Sequence, residues 1–374
     1  MRLIPIECIK ADSILARTLY DNNSRVLLKD GATITESILK KIKDLQIYSL
    51  YVHDEYSDKE IIDVISPELR QKSIKLVKDI FENSESIKLA GIEFSSLGSK
   101  KTLSALKKKD DYLDSLRDLS EDICKNILST KDISVGLVDI KNMDNYTYQH
   151  SVNVATLSVV LGIGIALPKD KLIDLCIGAL LHDIGKIFVG KAIIQKPDTL
   201  TDGEFAIIKT HPRLGYEYIK NMPNLKTRCK MVVLQHHERI DGTGYPNALV
   251  NDDIHLLAKI VSIADVYDAL TSDRPYKRAM CPNDAFEFIL SKSNTMFDFR
   301  LTQIFSRIMV PYPIGTLVKL SDGSSCVVKK THPLYPLRPE LKVIKSSNAT
   351  LINSTIDLSE KLSLVIKEIL YEIN

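Results

Sequence analysis

Two stretches of the sequence place histidines and a carboxylate at the ends of predicted apolar helices. The first is His236-His237, which ends a predicted helix over residues 227–238. The second is His182-Asp183, which ends a predicted helix over residues 172–184. Because one helical turn takes 3.6 residues, adjacent side chains point about 100° apart. The two adjacent histidines could therefore face two different metal ions, or one of them could face the core.

Residue types that bind metals recur through this part of the chain. Five of the 8 histidines are candidate ligands in it, at or near predicted helix ends. Asp265 interrupts an apolar run, where a lone buried carboxylate would be costly without a partner. A satisfied core histidine would explain any one imidazole, whereas metal ligation would satisfy the whole set at once. The candidate ligands are His150, His182, Asp183, His211, His236, His237 and Asp265.

This set of side chains suits metal-dependent hydrolysis. Mixed imidazole and carboxylate donors fit two transition-metal ions, Fe or Mn with Zn as the alternative, and one carboxylate could bridge them. A phosphodiester is anionic and poorly electrophilic, so its hydrolysis needs an activated water and charge neutralisation. Lys186, one turn after Asp183, could polarise a phosphate or complement the helix dipole. Glu238 and Asp268 are better interpreted as carboxylates that orient the ligands.

The composition indicates a globular protein of several units. The chain has 374 residues, of which 44% are hydrophobic and 26% charged, and its net charge of +2 gives no support to polyanion binding. The 6 cysteines form no C-x-x-C pair, which indicates reduced, buried thiols. The first residues show no signal-peptide core, and the most apolar run, 152–167, is shorter than the ~20 residues of a membrane helix. We expect a cytoplasmic protein with no membrane span and no nucleic-acid polymer as a partner.

Apolar periodicity predicts an α+β protein of four segments. Residues 1–64 should form a small β-rich module, and residues 65–131 a helical linker. Residues 132–310 contain one helical pattern after another and no convincing strand, so they should form a central all-α domain. Residues 311–374 should form a β-hairpin segment followed by a terminal amphipathic helix over 358–371.

Three finer predictions concern the flanking segments. Residues 13–20 should pair with residues 25–28 across a turn. Residues 83–109, rich in Ser, Gly and Lys, should be a mobile connector. The leucine stripe over residues 110–128 could be core or a dimer-forming helix, and the sequence leaves both open.

The order and spacing of these residues resemble the HD-GYP phosphodiesterases, a branch of the HD metal-dependent phosphohydrolases. His182-Asp183 matches the HD signature, and the segment from His236 to Pro246 resembles the extended motif that names the family. Other similar segments are 146–154 around His150, the dipeptide His211-Pro212, and residues 265–271 and 274–276. The similarity covers residues 132 to about 310, and the N-terminal module resembles β-rich modules that precede this domain in some relatives.

The resemblance implies an all-α domain that hydrolyses cyclic di-GMP to linear pGpG, with GMP as the product of a second cut. It implies that His150, His182, Asp183 and Asp265 hold one metal ion. Asp183 would bridge to a second ion, which His211, His236 and His237 would hold. Asp183 and Lys186 would be the catalytic residues. The implied substrate contacts are Lys186, Asp241, Gly242, Gly244, Tyr245, Pro246, Arg274 and Lys277.

One departure from the family pattern concerns the number of metal ions. Members with a third metal carry a Glu four residues before the first motif histidine, where this chain has Tyr146. We therefore expect two ions.

Two other functions and two kinds of partner follow from the same residues. The chain could be an HD phosphohydrolase of another cyclic (di)nucleotide, or a non-catalytic receptor for cyclic di-GMP. The intact Gly-Tyr-Pro motif argues against the first, and the complete ligand set argues against the second. Expected partners are a second copy, through the helical linker, and signalling proteins at the Gly-Tyr-Pro loop.

Overall fold

The computed structural model describes residues 1–21, 25–45, 47–56, 63–89, 100–130, 146–194, 196, 198–272 and 279–373. Residues 86–89, 100–110 and 146 are described by their backbone alone. Within these ranges no helix combines the length and the apolar character that crossing a membrane requires.

A small β-rich module begins the chain, as predicted. Its elements are β1 (Arg2–Pro5), β2 (Ser13–Leu15), β3 (Leu19–Tyr20), β4 (Val26–Leu28), β5 (Thr33–Ile34), α1 (Glu36–Asp44) and β6 (Ser49–His53). Four strands form an antiparallel sheet in the order β1-β6-β2-β5. Thr35 caps α1 by accepting a hydrogen bond from the Ile38 N–H. Ile42 of α1 packs with Leu15 and Leu50 of the sheet, and this contact forms the core of the module.

The hairpin predicted for residues 13–20 and 25–28 is only partly present. Strand β3 pairs with β4, but β2 pairs with β5 and β6 instead. Leu15 at the end of β2 is 0% exposed in the core of the larger sheet. Burial of this face therefore decides the pairing of β2, and the nearby turn does not.

Two long helices follow the module. They are α2 (Pro67–Leu89) and α3 (Lys100–Ser129), so the prediction of a mobile connector is wrong for residues 83–89 and 100–109. Leu116, Leu119 and Ile123 of α3 lie in the same buried cluster as the central domain. The leucine stripe is therefore core, covered within one chain, and a dimer would need another surface.

The central domain is helical through its described residues, as predicted, with isolated bridges at Asp241–Val250 and Ser293–Phe297. A short 3-10 helix over Ile184–Phe188 follows its second helix. The first two helices are apolar on all sides, which is the pattern of buried helices. The helices are α4 (Tyr146–Gly164), α5 (Lys169–Leu181), α6 (Lys191–Ile194), α7 (Asp202–Ile208), α8 (His211–Ile219), α9 (Thr227–Gln235), α10 (Leu256–Leu270), α11 (Pro282–Ser291) and α12 (Phe299–Ile308).

A five-stranded antiparallel sheet ends the chain. Its strands are β7 (Leu317–Leu320), β8 (Ser325–Lys330), β9 (Glu340–Lys345), β10 (Thr355–Asp357) and β11 (Ile366–Leu370), in the order β10-β9-β8-β7-β11. The predicted terminal helix over 358–371 is wrong, because β11 pairs with β7. Leu362 and Val365 produced the helical spacing, but they are 70% and 47% exposed and contribute no buried face.

Candidate metal centre

The seven candidate ligands come from five neighbouring helices. His150 lies on α4 and Asp265 on α10, and His211 begins α8. His182-Asp183 follows the last residue of α5, and His236-His237 follows the last residue of α9. Six of the seven are at most 7% exposed, whereas the His237 side chain is 24% exposed.

Their potential donor atoms converge in one buried cluster. Three overlapping groups have all their donor atoms within 4.8 Å of one another: Asp183 with His211, His236 and His237; His150 with His182 and Asp183; and His182 with His236 and Asp265. Asp183 belongs to two of the groups and lies between them. The sequence-predicted set is therefore brought together completely.

The ring orientation of four histidines is fixed by a hydrogen bond at Nδ1. His182 bonds the Ala179 carbonyl at 2.7 Å, His211 bonds the Ile208 carbonyl at 2.8 Å, and His236 bonds the Val233 carbonyl at 3.0 Å. A carbonyl can only accept, so Nδ1 carries the hydrogen and Nε2 presents a lone pair. His150 uses Nδ1 in the same way toward Asp268, at 2.7 Å. The Nε2 atom is therefore the metal-binding atom that each of these four rings offers to the cluster.

The contact between His211 and His236 tests whether a metal fits. Their Nε2 atoms lie 3.3 Å apart, and the orientation just described gives both of them a lone pair. Two such lone pairs repel each other unless a cation lies between them. Two nitrogens bound at about 2.1 Å to one ion would be about 3.4 Å apart at a tetrahedral angle. The cluster therefore fits a metal ion.

The electrostatics at His236, His237 and Asp183 favour the protonation states that metals require, whereas Asp265 and Asp268 outweigh burial and raise the pKa of His150. Burial, together with the neighbouring histidines, holds the pKa of His236 well below its usual value. Burial also lowers the pKa of His237 to about 3. For Asp183, burial alone would raise the pKa, but Lys186 and the nearby histidines outweigh it and lower the pKa well below its usual value. Neutral imidazoles and ionised carboxylates are the ligating forms.

Gly185 allows α8 to approach His182 and Asp183 closely. A Cβ on Gly185 would lie 1.9 Å from the backbone oxygen of His211. The 3-10 turn after Asp183 therefore packs directly on the first turn of α8, and this contact places His211 beside Asp183, with 3.2 Å between Nε2 and Oδ1. The sequence contains a signal for this close contact, since Gly185 follows Asp183 by two positions.

The Gly-Tyr-Pro loop covers one side of the cluster. Tyr245 stacks on the His237 ring, with 4.7 Å between ring centroids, and its peptide bond to Pro246 is cis. Glu238 accepts hydrogen bonds from the Asn247 and Leu249 N–H groups, so it anchors the loop and is not in the cluster. Gly244 passes so close to the end of α9 that an added Cβ would lie 2.3 Å from the Arg239 nitrogen.

The other predicted contact residues are placed differently. Asp241 is exposed, and its carboxylate bonds Thr243 within the turn. Gly242, at a φ of +78°, shapes the same turn. Lys186 donates a hydrogen bond to Asp183, and its side chain is 28% exposed. Arg274 and Lys277 lie outside the described residues.

One basic residue near the cluster was missed by sequence reasoning. The Lys209 ammonium lies 5.6 Å from the centroid of the Tyr245 ring and 4.7 Å from that of Phe205. It places a positive charge beside the ring that covers His237. In the sequence, Lys209 looks like one more exposed charge at the end of a short helix.

A chain of polar contacts, which we call the Arg70 network, connects the cluster with the N-terminal module. Asp268 accepts from Asn153 at 3.0 Å as well as bonding His150. Asn153 accepts in turn from the Arg70 guanidinium at 2.6 Å. Arg70 pairs with Asp63, which also pairs with Arg17 of the module. Asp268 was predicted to orient a ligand, whereas Asn153 was missed although it is a polar residue in a buried helix.

Comparison with known proteins gives two matches to family models. Residues 137–301 match an HD domain, and residues 317–374 match a KOW domain associated with HD domains. The first range contains all seven cluster residues, and the second contains the C-terminal sheet.

Three relatives are similar to part of the chain. A cyclic di-GMP phosphodiesterase of Pseudomonas aeruginosa is 38% identical over 232 residues, which are 62% of this chain and 56% of the relative. A cyclic di-GMP phosphodiesterase of Borreliella burgdorferi is 32% identical over 200 residues, 54% of this chain and 52% of the relative. A 3'3'-cGAMP-specific phosphodiesterase of Vibrio cholerae is 35% identical over 162 residues, 43% of this chain and 35% of the relative.

The chain thus spans about half the length of the first two relatives. Within the matched HD region, this chain carries the histidine and aspartate cluster and the Gly-Tyr-Pro loop. Residues 137–301 therefore form an HD domain, and the chain is similar to cyclic di-GMP phosphodiesterases.

Proposed function

We propose that this chain is a metal-dependent phosphodiesterase that hydrolyses cyclic di-GMP. The observation that carries the proposal is the buried cluster of five histidines and two aspartates beside the Gly-Tyr-Pro loop. Relatives that are 38% and 32% identical to parts of this chain are named cyclic di-GMP phosphodiesterases.

The side chains of the cluster would form two sets of metal ligands. His150, His182, Asp183 and Asp265 would hold one divalent ion, and His211, His236 and His237 would hold a second, with Asp183 shared. Fe or Mn, or alternatively Zn, would acidify a water and neutralise phosphate charge when bound. The Nδ1 contacts described above keep the imidazoles oriented, so little reorganisation is needed when substrate arrives. Lys186 would exchange its bond with Asp183 for one to the scissile phosphate or the departing ribose oxygen.

The surroundings of the cluster would select and position the dinucleotide. Tyr245 offers an aromatic face next to His237, and Lys209 adds a positive charge beside it. A cyclic dinucleotide has two phosphates and two guanine bases, so a cation and a ring beside the reacting phosphate suit it. Arg274 and Lys277 remain proposed substrate contacts, and the exposed turn at Asp241 remains a proposed partner surface. A dimer formed through the helical segment also remains a proposal, and it would use a surface other than the buried leucine stripe.

The test of this function is direct. The full chain is purified without oxygen, its metals are counted, and cyclic di-GMP turnover is followed by chromatography. The expected result is turnover that is lost on chelation and restored by Mn or Fe. A chain that is loaded with metal and binds cyclic di-GMP, but releases no product, would instead be a receptor.

Lys186→Ala is expected to lower kcat about tenfold while metal content stays at the wild-type level. A charge-assisted hydrogen bond contributes about 1.5 kcal/mol or more, and 1.36 kcal/mol corresponds to a factor of ten in rate. Metal analysis and steady-state kinetics on the same preparation measure both quantities. Equal loss of metal and rate would assign Lys186 a structural role at Asp183.

The main product is expected to be pGpG, with slow conversion to GMP. A third ion would need an acidic ligand four residues before His150, where the phenol of Tyr146, with an ordinary pKa of about 10, is a poor substitute. Linear pGpG also carries an additional terminal phosphate charge, so two ions and Lys186 would neutralise it less well than they neutralise cyclic di-GMP. Time-resolved chromatography measures both products. If GMP formed as fast as pGpG with two metals bound per chain, the missing carboxylate would not control the second cut.

A second candidate substrate is 3'3'-cGAMP, because one relative of similar identity is specific for it. Replacing one guanine by adenine leaves the phosphates unchanged, so the choice depends on base contacts outside the metal cluster. Parallel measurements of kcat/KM on both dinucleotides distinguish the candidates. The expected preference is for cyclic di-GMP.

A further inference from the structure

A cavity separate from the metal cluster lies where the three folded parts of the chain meet. Its volume is about 410 Å³, within the ~300–1,000 Å³ typical of small-molecule sites. The N-terminal module contributes Leu3 and Tyr51, the start of α11 contributes Met280, and the C-terminal part contributes Ile314 and Leu370. These side chains make the lining predominantly apolar.

The charges at this cavity indicate which ligands it would accept. Among the described lining residues, the charged ones are Arg2 and Glu7. The Arg2 guanidinium pairs with Asp54 and also donates to the Tyr371 carbonyl at 2.8 Å. Its charge is therefore already neutralised, and it serves to join the first strand to the last. Because the Arg2 charge is paired and the lining is predominantly apolar, an uncharged, mainly apolar molecule fits best.

The cavity also borders the chain that leads away from the metal cluster. Helix α10 carries Asp265 and Asp268, and Thr271 at its C-terminal end lines the cavity. Ala279 lines it too, so described residues on both sides of segment 273–278, which carries Arg274 and Lys277, lie at this cavity. The Met280 N–H donates to the Leu270 carbonyl at 2.8 Å, which ties the cavity wall to the end of α10.

We propose that this cavity is a binding site for an uncharged, mainly apolar small molecule, and that its occupant alters substrate affinity. A molecule here contacts Thr271 and Ala279, which flank the segment that bears two proposed substrate contacts. Its binding free energy would therefore differ between the substrate-free and the substrate-bound state, and coupling between two sites requires such a difference. The coupling rests on the proposed function, whereas the binding itself does not.

Binding is tested with N-phenyl-1-naphthylamine, a neutral apolar fluorophore, on the full chain. The expected result is a saturable rise in fluorescence at one molecule per chain. Ala279→Trp and Ile314→Trp each place a large ring in the cavity and should weaken binding about tenfold or more. Leu362→Trp, at a side chain that is 70% exposed and does not line the cavity, is the matched control and should bind as the wild type does. Absence of saturable binding, or unchanged binding by both cavity variants, would overturn the site.

Coupling is tested on the same proteins by measuring KM for cyclic di-GMP with and without the fluorophore. Saturating fluorophore should shift KM about fivefold in the wild type and in Leu362→Trp, but not in Ala279→Trp. An unchanged KM in a wild-type protein that turns over substrate and binds the fluorophore would refute the coupling. If the protein binds the fluorophore but turns over no cyclic dinucleotide, the proposed function fails and the apolar site stands.

Discussion

Asp183→Asn is expected to lower cyclic di-GMP turnover by more than about 10³-fold, because the loss of even one transition-state donor can cost 10²–10³. Asp183 belongs to two of the three donor groups, and its side chain is 1% exposed. Asn keeps the shape but loses the negative charge that two cations would share. Metal content, measured by elemental analysis, should fall together with the rate.

Asp174→Asn is the matched control for this change. Asp174 is also a buried aspartate, within α5, but its carboxylate pairs with Arg228 away from the cluster. This variant should keep its metals and its kcat, even if its melting temperature falls. An Asp183→Asn protein that stayed folded, lost its metals and still turned over substrate at the wild-type rate would refute the metal mechanism.

The metal cluster could be predicted because its signals are local. His182-Asp183 and His236-His237 each end an apolar helix, and Asp265 is a carboxylate in an otherwise apolar helix. Polar residues at such positions need partners, so their type and placement already indicated that they meet. The structure adds the fixed direction of the His182 and His211 imidazoles, whose Nδ1 atoms bond carbonyls three residues earlier in the chain.

What the sequence could not provide depends on contacts between distant residues. Arg70 donates a hydrogen bond to Asn153, 83 positions later in the chain, and no local sequence pattern around either residue predicts this contact. Strand β11 was predicted as a helix because its apolar spacing suits both structures, and pairing with β7 decided between them. The burial of the α3 stripe likewise required knowledge of which surface of the central domain it would cover.

Asp268→Ala is expected to lower metal affinity about 10- to 100-fold, the usual effect of removing a group that orients a metal ligand. Asp268 holds the Nδ1–H of His150 at 2.7 Å, which leaves Nε2 directed at Asp265, 3.0 Å away. Without this carboxylate the imidazole can rotate or change tautomer, so part of the binding energy is spent on ordering it. Titration of chelator-treated protein with Mn²⁺ measures the affinity. Asp253→Ala, which removes an exposed carboxylate just before α10, is the control and should bind metal normally.

The same titration distinguishes an Asp268 that orients His150 from an Asp268 that acts on substrate. It also tests the next contact of the Arg70 network. Asn153→Ala removes the next contact, between Asp268 and Arg70, while His150 keeps its carboxylate. Its metal affinity should fall in the same direction as that of Asp268→Ala, but by less, because the effect passes through one more hydrogen bond. If Asp268→Ala bound Mn²⁺ as tightly as the wild type and still lost turnover, Asp268 would act on substrate and not through His150. Equal affinities in the wild type and both variants would mean that the helix backbone alone orients His150, and that the Arg70 network joins the N-terminal module to the central domain without tuning the metal site.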